Sequence, residues 1–129
     1  MAKVLICEDD KDVLKVLKRT LESGGYETFG TQDEERALET LRQPHCFDLL
    51  LTDIVLSSPK SGLELATQAR ILNPDLPIIL MTGYSSDDIK LGKSRLDDFP
   101  LLSKPMTCAE LLYALSIALN SAPNNEVAH

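Results

Sequence analysis

At 129 residues and 14.2 kDa the chain is the size of one ordinary domain, long enough to bury a core and too short for two. Its 43% hydrophobic and 26% charged content excludes disorder and a membrane protein, because the longest apolar runs fall well short of the ~20 residues that span a bilayer. A net charge of −7 and a pI near 4.7, with Lys and Arg dispersed, argue against direct nucleic-acid binding, and the start Met1-Ala2-Lys3-Val4 has no signal-peptide layout, so a cytoplasmic protein is expected.

Lys3-Val4-Leu5-Ile6-Cys7 is a short apolar strand that breaks abruptly into Glu8-Asp9-Asp10, so three acids follow a buried strand. From Lys11 to Ser23, Val13, Leu14, Leu17 and Leu21 recur at helical spacing, and Gly24-Gly25 supplies a left-handed exit. Tyr26-Glu27-Thr28-Phe29 alternates as a half-exposed edge strand does. Thr31-Gln32-Asp33-Glu34 then has capping-box spacing ahead of Ala37, Leu38 and Leu41. His45, between Pro44 and Cys46, reads as a solvated loop residue.

The stretch Phe47 to Val55 is an apolar run that stops at Asp53, which predicts a strand buried on both faces with a carboxylate at its carboxyl end. Ser57-Ser58-Pro59-Lys60 is a breaker-rich loop, and Ser61-Gly62-Leu63-Glu64 has the spacing of a second capping box, leading a helix to about Leu72. Pro77 to Met81 is a fourth strand ending in Thr82-Gly83-Tyr84, with Pro tolerated at its start. Ser85 to Arg95 predicts a weak helix, since Ile89 and Leu91 are sparse and Gly92 costs about 1 kcal/mol relative to Ala. Leu101-Leu102-Ser103 is a short fifth strand before Lys104-Pro105. Thr107 to Glu110 caps a last helix with Leu111, Leu112, Leu115, Ala118 and Leu119. The domain is expected to occupy residues 1–120, with 121–129 a fraying tail.

Five strands alternating with five helices imply a doubly wound, flavodoxin-like α/β fold. The uniformly apolar strands one, three and four belong at the centre of a parallel sheet and the alternating second strand at an edge, which a 2-1-3-4-5 order satisfies. Three cysteines without Cys-x-x-Cys spacing suggest neither a disulfide framework nor a zinc site, and Cys7 and Cys108 read as small core residues.

In that order Glu8 and Asp9 follow strand one, Asp53 ends strand three, Thr82 strand four and Lys104 follows strand five, so all five reach one rim. Each has a plain reading singly: helix-start acids, a capping aspartate, a loop threonine, a solvated lysine. Together, three carboxylates within ~5 Å repel by roughly 3 kcal/mol per pair at an effective dielectric near 20, so they call for a counter-ion. Mg²⁺ suits them, held by Glu8, Asp9, Asp53 and a backbone carbonyl near Val55, with positions left open for a phosphoryl group. Asp53 is then placed to attack phosphorus, with Lys104 and Thr82 serving the phosphoryl oxygens and the product an aspartyl phosphate.

At Val4 to Asp10, Leu51-Thr52-Asp53-Ile54, Leu80-Met81-Thr82-Gly83 and Ser103-Lys104-Pro105 the sequence resembles the response-regulator receiver domain of two-component signalling, of the single-domain chemotaxis type, over positions 3 to 120. A chemotaxis member of that family is a standard example of 2-1-3-4-5 order, so order and resemblance are not independent. The resemblance implies that Asp53 takes phosphate from a phosphohistidine of a sensor histidine kinase or phosphotransfer protein, and that Glu8 and Asp9 serve Mg²⁺. It also implies that Thr82 and Lys104 report the phosphoryl group to a surface read by a downstream protein target. Such a protein catalyses only its own phosphorylation and dephosphorylation, as a monomer or weak dimer.

Two departures concern output. The loop from Asp53 to Gly62 is about one residue longer than the family's usual spacing, and Leu101 stands three residues before Lys104, where the family usually has an aromatic. With the aromatic part of the switch missing, the response is expected to concentrate in residues 82 to 95, where Gly83 leaves room beside the phosphate and Tyr84 supplies an aromatic ring. The rivals are a phosphorylation-independent interaction module and a Mg²⁺-dependent phosphatase. The phosphatase motif wants a second acid two residues after the nucleophile, and here that position is Val55.

Overall fold

A computed structural model describes residues 2–43, 47–56, 61–83 and 99–120. Five strands, β1 (Lys3–Cys7), β2 (Glu27–Thr31), β3 (Leu49–Asp53), β4 (Ile78–Thr82) and β5 (Leu101–Ser103), form one parallel sheet in the order β2-β1-β3-β4-β5. The expected order, consistent with hydropathy and implied by the resemblance, is the order found. β3 and β4 are buried at every residue, as runs covered on both faces must be, whereas β2 is half exposed along one edge.

Four helices lie among the described residues: α1 (Lys11–Ser23), α2 (Glu34–Arg42), α3 (Ser61–Leu72) and α4 (Cys108–Asn120). The expected helix at Ser85 to Arg95, Tyr84, Cys46, His45 and the tail from Ser121 lie outside the described residues. Side-chain alternation divides the core. Leu5, Leu50, Ile78 and Leu80 face Leu63, Ala66 and Ala69 of α3 and Ala37 of α2, while Val4, Ile6, Leu51, Ile79 and Met81 face Leu17 and Leu21 of α1 and Leu111 and Leu115 of α4.

The helix starts refine the sequence reading. At α4 the capping box is reciprocal: Glu110 N–H donates to Thr107 Oγ1 at 3.0 Å and Thr107 N–H to Glu110 Oε1 at 2.8 Å. The box expected at Thr31 does not form, because Thr31 continues the ladder opposite Cys7 and its hydroxyl donates to Ile6 O; Asp33 caps α2 instead, accepting from Arg36 N–H at 2.7 Å. Ser61, at the start of α3, also accepts from Leu56 N–H at 2.9 Å, which ties the helix start back to the β3 exit. The left-handed exit after α1 falls on Gly25 alone, at φ +93°.

Cys7 is buried as expected, but Cys108 is exposed, because it opens α4 ahead of the buried Leu111 and Leu115. Burial pushes the Cys7 thiol up to about 11, against the hydrogen bonds of Thr31 and Thr52. Iodoacetamide at pH 8 should therefore alkylate Cys108 and spare Cys7 in the native protein, as peptide mapping would register; rapid modification of Cys7 would contradict this packing.

Candidate functional site

The sheet delivers four strand ends to one edge. Asp53 closes β3, Thr82 closes β4, and Glu8 and Lys104 are the residues that follow β1 and β5. Three backbone bonds hold this edge in register: Glu8 N–H to Thr31 O at 3.0 Å, Ile54 N–H to Met81 O at 2.9 Å, and Lys104 N–H to Thr82 O at 2.7 Å. The Lys104–Pro105 peptide is cis.

Between the strand ends lies an open cleft of about 330 Å³, lined by the expected Glu8, Asp9, Asp53, Val55, Thr82, Gly83 and Lys104 and also by Asp10, Val13 and Met81. Lys104 Nζ bridges two carboxylates, at 2.7 Å from Glu8 Oε1 and 2.8 Å from Asp53 Oδ1. Glu8 and Asp53 are only 1% and 6% exposed, so this is a buried acid pair with one shared cation; Asp9 is exposed at the mouth. Thr82 is buried beside them.

One ammonium among three carboxylates leaves an excess of negative charge, and the protonation states divide it unequally. Burial alone would raise Glu8, but its bonds with Asp53, Lys104 and the Asp10 N–H outweigh burial and hold it below the ordinary glutamate range. Asp53 is pushed up to about 8, first by burial and then by the neighbouring Glu8, with Lys104 opposing. Burial and Glu8 also raise Asp9, and the two acids raise Lys104 against its burial. Burial and Glu8 thus favour the protonated form of Asp53 below about pH 8 when no other cation is present.

Ligand oxygens of Glu8, Asp9 and Asp53 lie within 4.8 Å of one another. Carboxylates gathered this closely, with one at the open mouth of the cleft, suit a small hard cation that keeps some of its waters. The donors are hard oxygens throughout. Asp10, the third acid of the run, is committed to the helix that follows, since its carboxylate accepts from Asp12 and Val13 N–H and caps α1.

The backbone at Asp53 is fixed from behind by Gly62. Its N–H donates to Ile54 O at 2.7 Å, and a Cβ there would collide with the Asp53 carbonyl oxygen and come within 2.8 Å of the Ile54 carbonyl carbon. Gly62→Ala should destabilise by about 2–3 kcal/mol in urea titration, since backbone cannot yield as a side chain does. Gly24→Ala should cost less, because the atom it meets at 2.6 Å is the mobile end of Leu112. Equal costs would show that the β3 exit relaxes freely. At Gly83, by contrast, a methyl group would meet nothing within 4 Å among the described residues.

The sequence reading missed Gln32, whose Nε2 donates to the Asp9 backbone carbonyl at 3.3 Å. Its signal was topological: β2 also ends at this edge, and a polar residue just past that end belongs to the same rim as those past β1 and β5.

An acidic cleft at the switch point of such a sheet, only partly neutralised by one lysine, is the equipment of a phosphoacceptor receiver. The chain belongs to that family: residues 4–116 match the response regulator receiver domain. It is 34% identical over 122 residues to the response regulator receiver protein CpdR of Brucella abortus, covering 95% of this chain and 100% of that one. It also matches the response regulator protein PilR of Pseudomonas aeruginosa at 32% identity, over 91% of this chain and 26% of that longer protein. Among solved structures, a response regulator receiver protein from Sinorhizobium medicae superposes with TM-score 0.83 at 28% identity, covering 93% and 95% of the two chains. The chemotaxis protein CheY4 of Vibrio cholerae gives TM-score 0.80 at 29% identity, covering 92% and 99%. Receivers of this family act in two-component signalling, between histidine kinases or phosphotransfer proteins and downstream targets. No helix among the described residues is long and apolar enough to cross a membrane.

Proposed function

We propose that Asp53 is the phosphoacceptor, with Glu8, Asp9 and the Val55 carbonyl completing a Mg²⁺ site and Thr82 and Lys104 receiving the phosphoryl oxygens. The observation that supports this most is the Lys104 ammonium bridging Glu8 and Asp53 in the cleft. It is a cation already placed where phosphoryl charge would arrive. In the proposed reaction an ionised Asp53 oxygen attacks the phosphorus of a phosphohistidine, the P–N bond breaks, and the imidazole leaves with the electron pair and takes a proton. Mg²⁺, when bound, supplies charge that offsets the crowding of anionic oxygens. Lys104 moves its ion pair from Asp53 to a phosphoryl oxygen, and the Thr82 hydroxyl donates to another.

Mass spectrometry after incubation with acetyl phosphate and Mg²⁺ tests this reading. One added phosphoryl group is expected, lost with Asp53→Ala and in excess chelator; undiminished labelling of Asp53→Ala would refute it. The donor in the cell is proposed to be a sensor histidine kinase or phosphotransfer protein, and the reader a downstream protein. For output, Leu101 lies on β5 as an exposed leucine, with no hydroxyl to exchange partners and less bulk than an aromatic ring. The response is therefore proposed to run from Thr82 into residues 82–95. Amide exchange with and without beryllofluoride should show its largest changes there; changes confined to Leu101 to Leu115 would reject this route.

A further inference from the structure

We infer that Gln32 is a positioning residue for the acidic loop, and that it sets how tightly the carboxylates hold a divalent cation. The inference rests on the reading of Glu8, Asp9 and Asp53 as a cation site. The Asp9–Asp10 peptide unit is held at both ends. Its carbonyl accepts from Gln32 Nε2 at 3.3 Å, and its N–H donates to Glu8 Oε2 at 3.1 Å. Only the amide nitrogen of Gln32 can serve a carbonyl, so the side-chain orientation is unambiguous.

That one peptide plane directs two ligands. It fixes the backbone from which the exposed Asp9 carboxylate projects, and it supplies a donor that orients the Glu8 carboxylate. The far side of the loop is already secured, because Asp10 caps α1 through Asp12 and Val13 N–H. The near side depends on β2, whose end grips β1 through Glu8 N–H to Thr31 O and Thr31 Oγ1 to Ile6 O at 3.1 Å. Gln32 extends this grip by one residue, onto the peptide between two acids. Without it the plane can rock, and Asp9 and Glu8 lose their common orientation.

The test is a Mg²⁺ titration of unphosphorylated protein followed by NMR, with Asp10 amide exchange and melting in chelator measured alongside. Gln32→Met keeps length and neutrality but cannot donate, and should weaken Mg²⁺ binding about three- to tenfold, speed Asp10 exchange and leave metal-free melting unchanged. Gln32→Asn, one methylene too short to reach, should behave like Met. Gln68→Met, on the exposed face of α3, should match wild type. Unchanged affinity and Asp10 exchange in Gln32→Met, or full affinity in Gln32→Asn, would overturn the positioning role while leaving the metal site intact. Failure of the wild type itself to bind Mg²⁺ would overturn the metal-site reading and this inference with it.

Discussion

Mg²⁺ binding should weaken by about tenfold for each pH unit below 8, reaching about a hundredfold at pH 6, because a metal-ligating carboxylate must first lose its proton. The group responsible is Asp53, raised to about 8 by burial and by Glu8. The same shift fixes the sign of a stability effect. Because Asp53 binds its proton more tightly folded than unfolded, its contribution is fully present below about pH 4 and is lost as pH rises through 8. In chelator, Asp53→Asn should therefore melt several degrees above wild type at pH 8, with the gap closing toward pH 4. Saturating Mg²⁺ should reverse the order by stabilising only the wild type strongly. Calorimetric melting of both proteins across this range checks each sign. Equal Mg²⁺ affinity at pH 6 and 8, or a less stable Asp53→Asn in chelator at pH 8, would show that the carboxyl does not hold its proton.

The strands were legible because burial on both faces leaves so plain a trace. Leu49 to Leu51 and Ile78 to Met81 are apolar without alternation, and only a central position in a parallel sheet accommodates that. Once the order follows, the meeting of Glu8, Asp9, Asp53, Thr82 and Lys104 follows too. The cap residues were harder. Thr31 stands at capping spacing, yet it is buried and bonds across the fold to Ile6, so a tertiary acceptor displaced the local role. Cys108 was misread because a small apolar residue beside a leucine stripe need not belong to it. Glu8-Asp9-Asp10 looks uniform in sequence, but helix geometry takes Asp10 for α1 and leaves the other two to the cleft. Gln32 carried only a topological signal, because its partner is a backbone carbonyl 23 positions away, and a carbonyl carries no sequence signature.

Lys104→Met should leave the protein less stable yet better at binding Mg²⁺. Lys104 is the cation shared by Glu8 and Asp53, two side chains almost without solvent. Removing one partner of a buried ion pair typically costs 3–5 kcal/mol, and the 27% exposure of the Lys104 side chain lowers the expectation to about 2–3 kcal/mol in chelator at pH 8. At pH 5 the cost should fall, because Asp53 then keeps its proton and the ammonium has one charge fewer to balance. Adding Mg²⁺ at pH 8 should close the gap, since a divalent ion replaces the lost charge, and its affinity should exceed that of wild type because it no longer displaces an ammonium. Phosphorylation by acetyl phosphate should nevertheless slow, as the incoming oxygens lose a partner. Urea titrations at both pH values, with and without Mg²⁺, separate these effects. Weaker Mg²⁺ binding in Lys104→Met, or wild-type stability in chelator at pH 8, would mean that Lys104 is not the counter-ion on which the metal-free cleft depends.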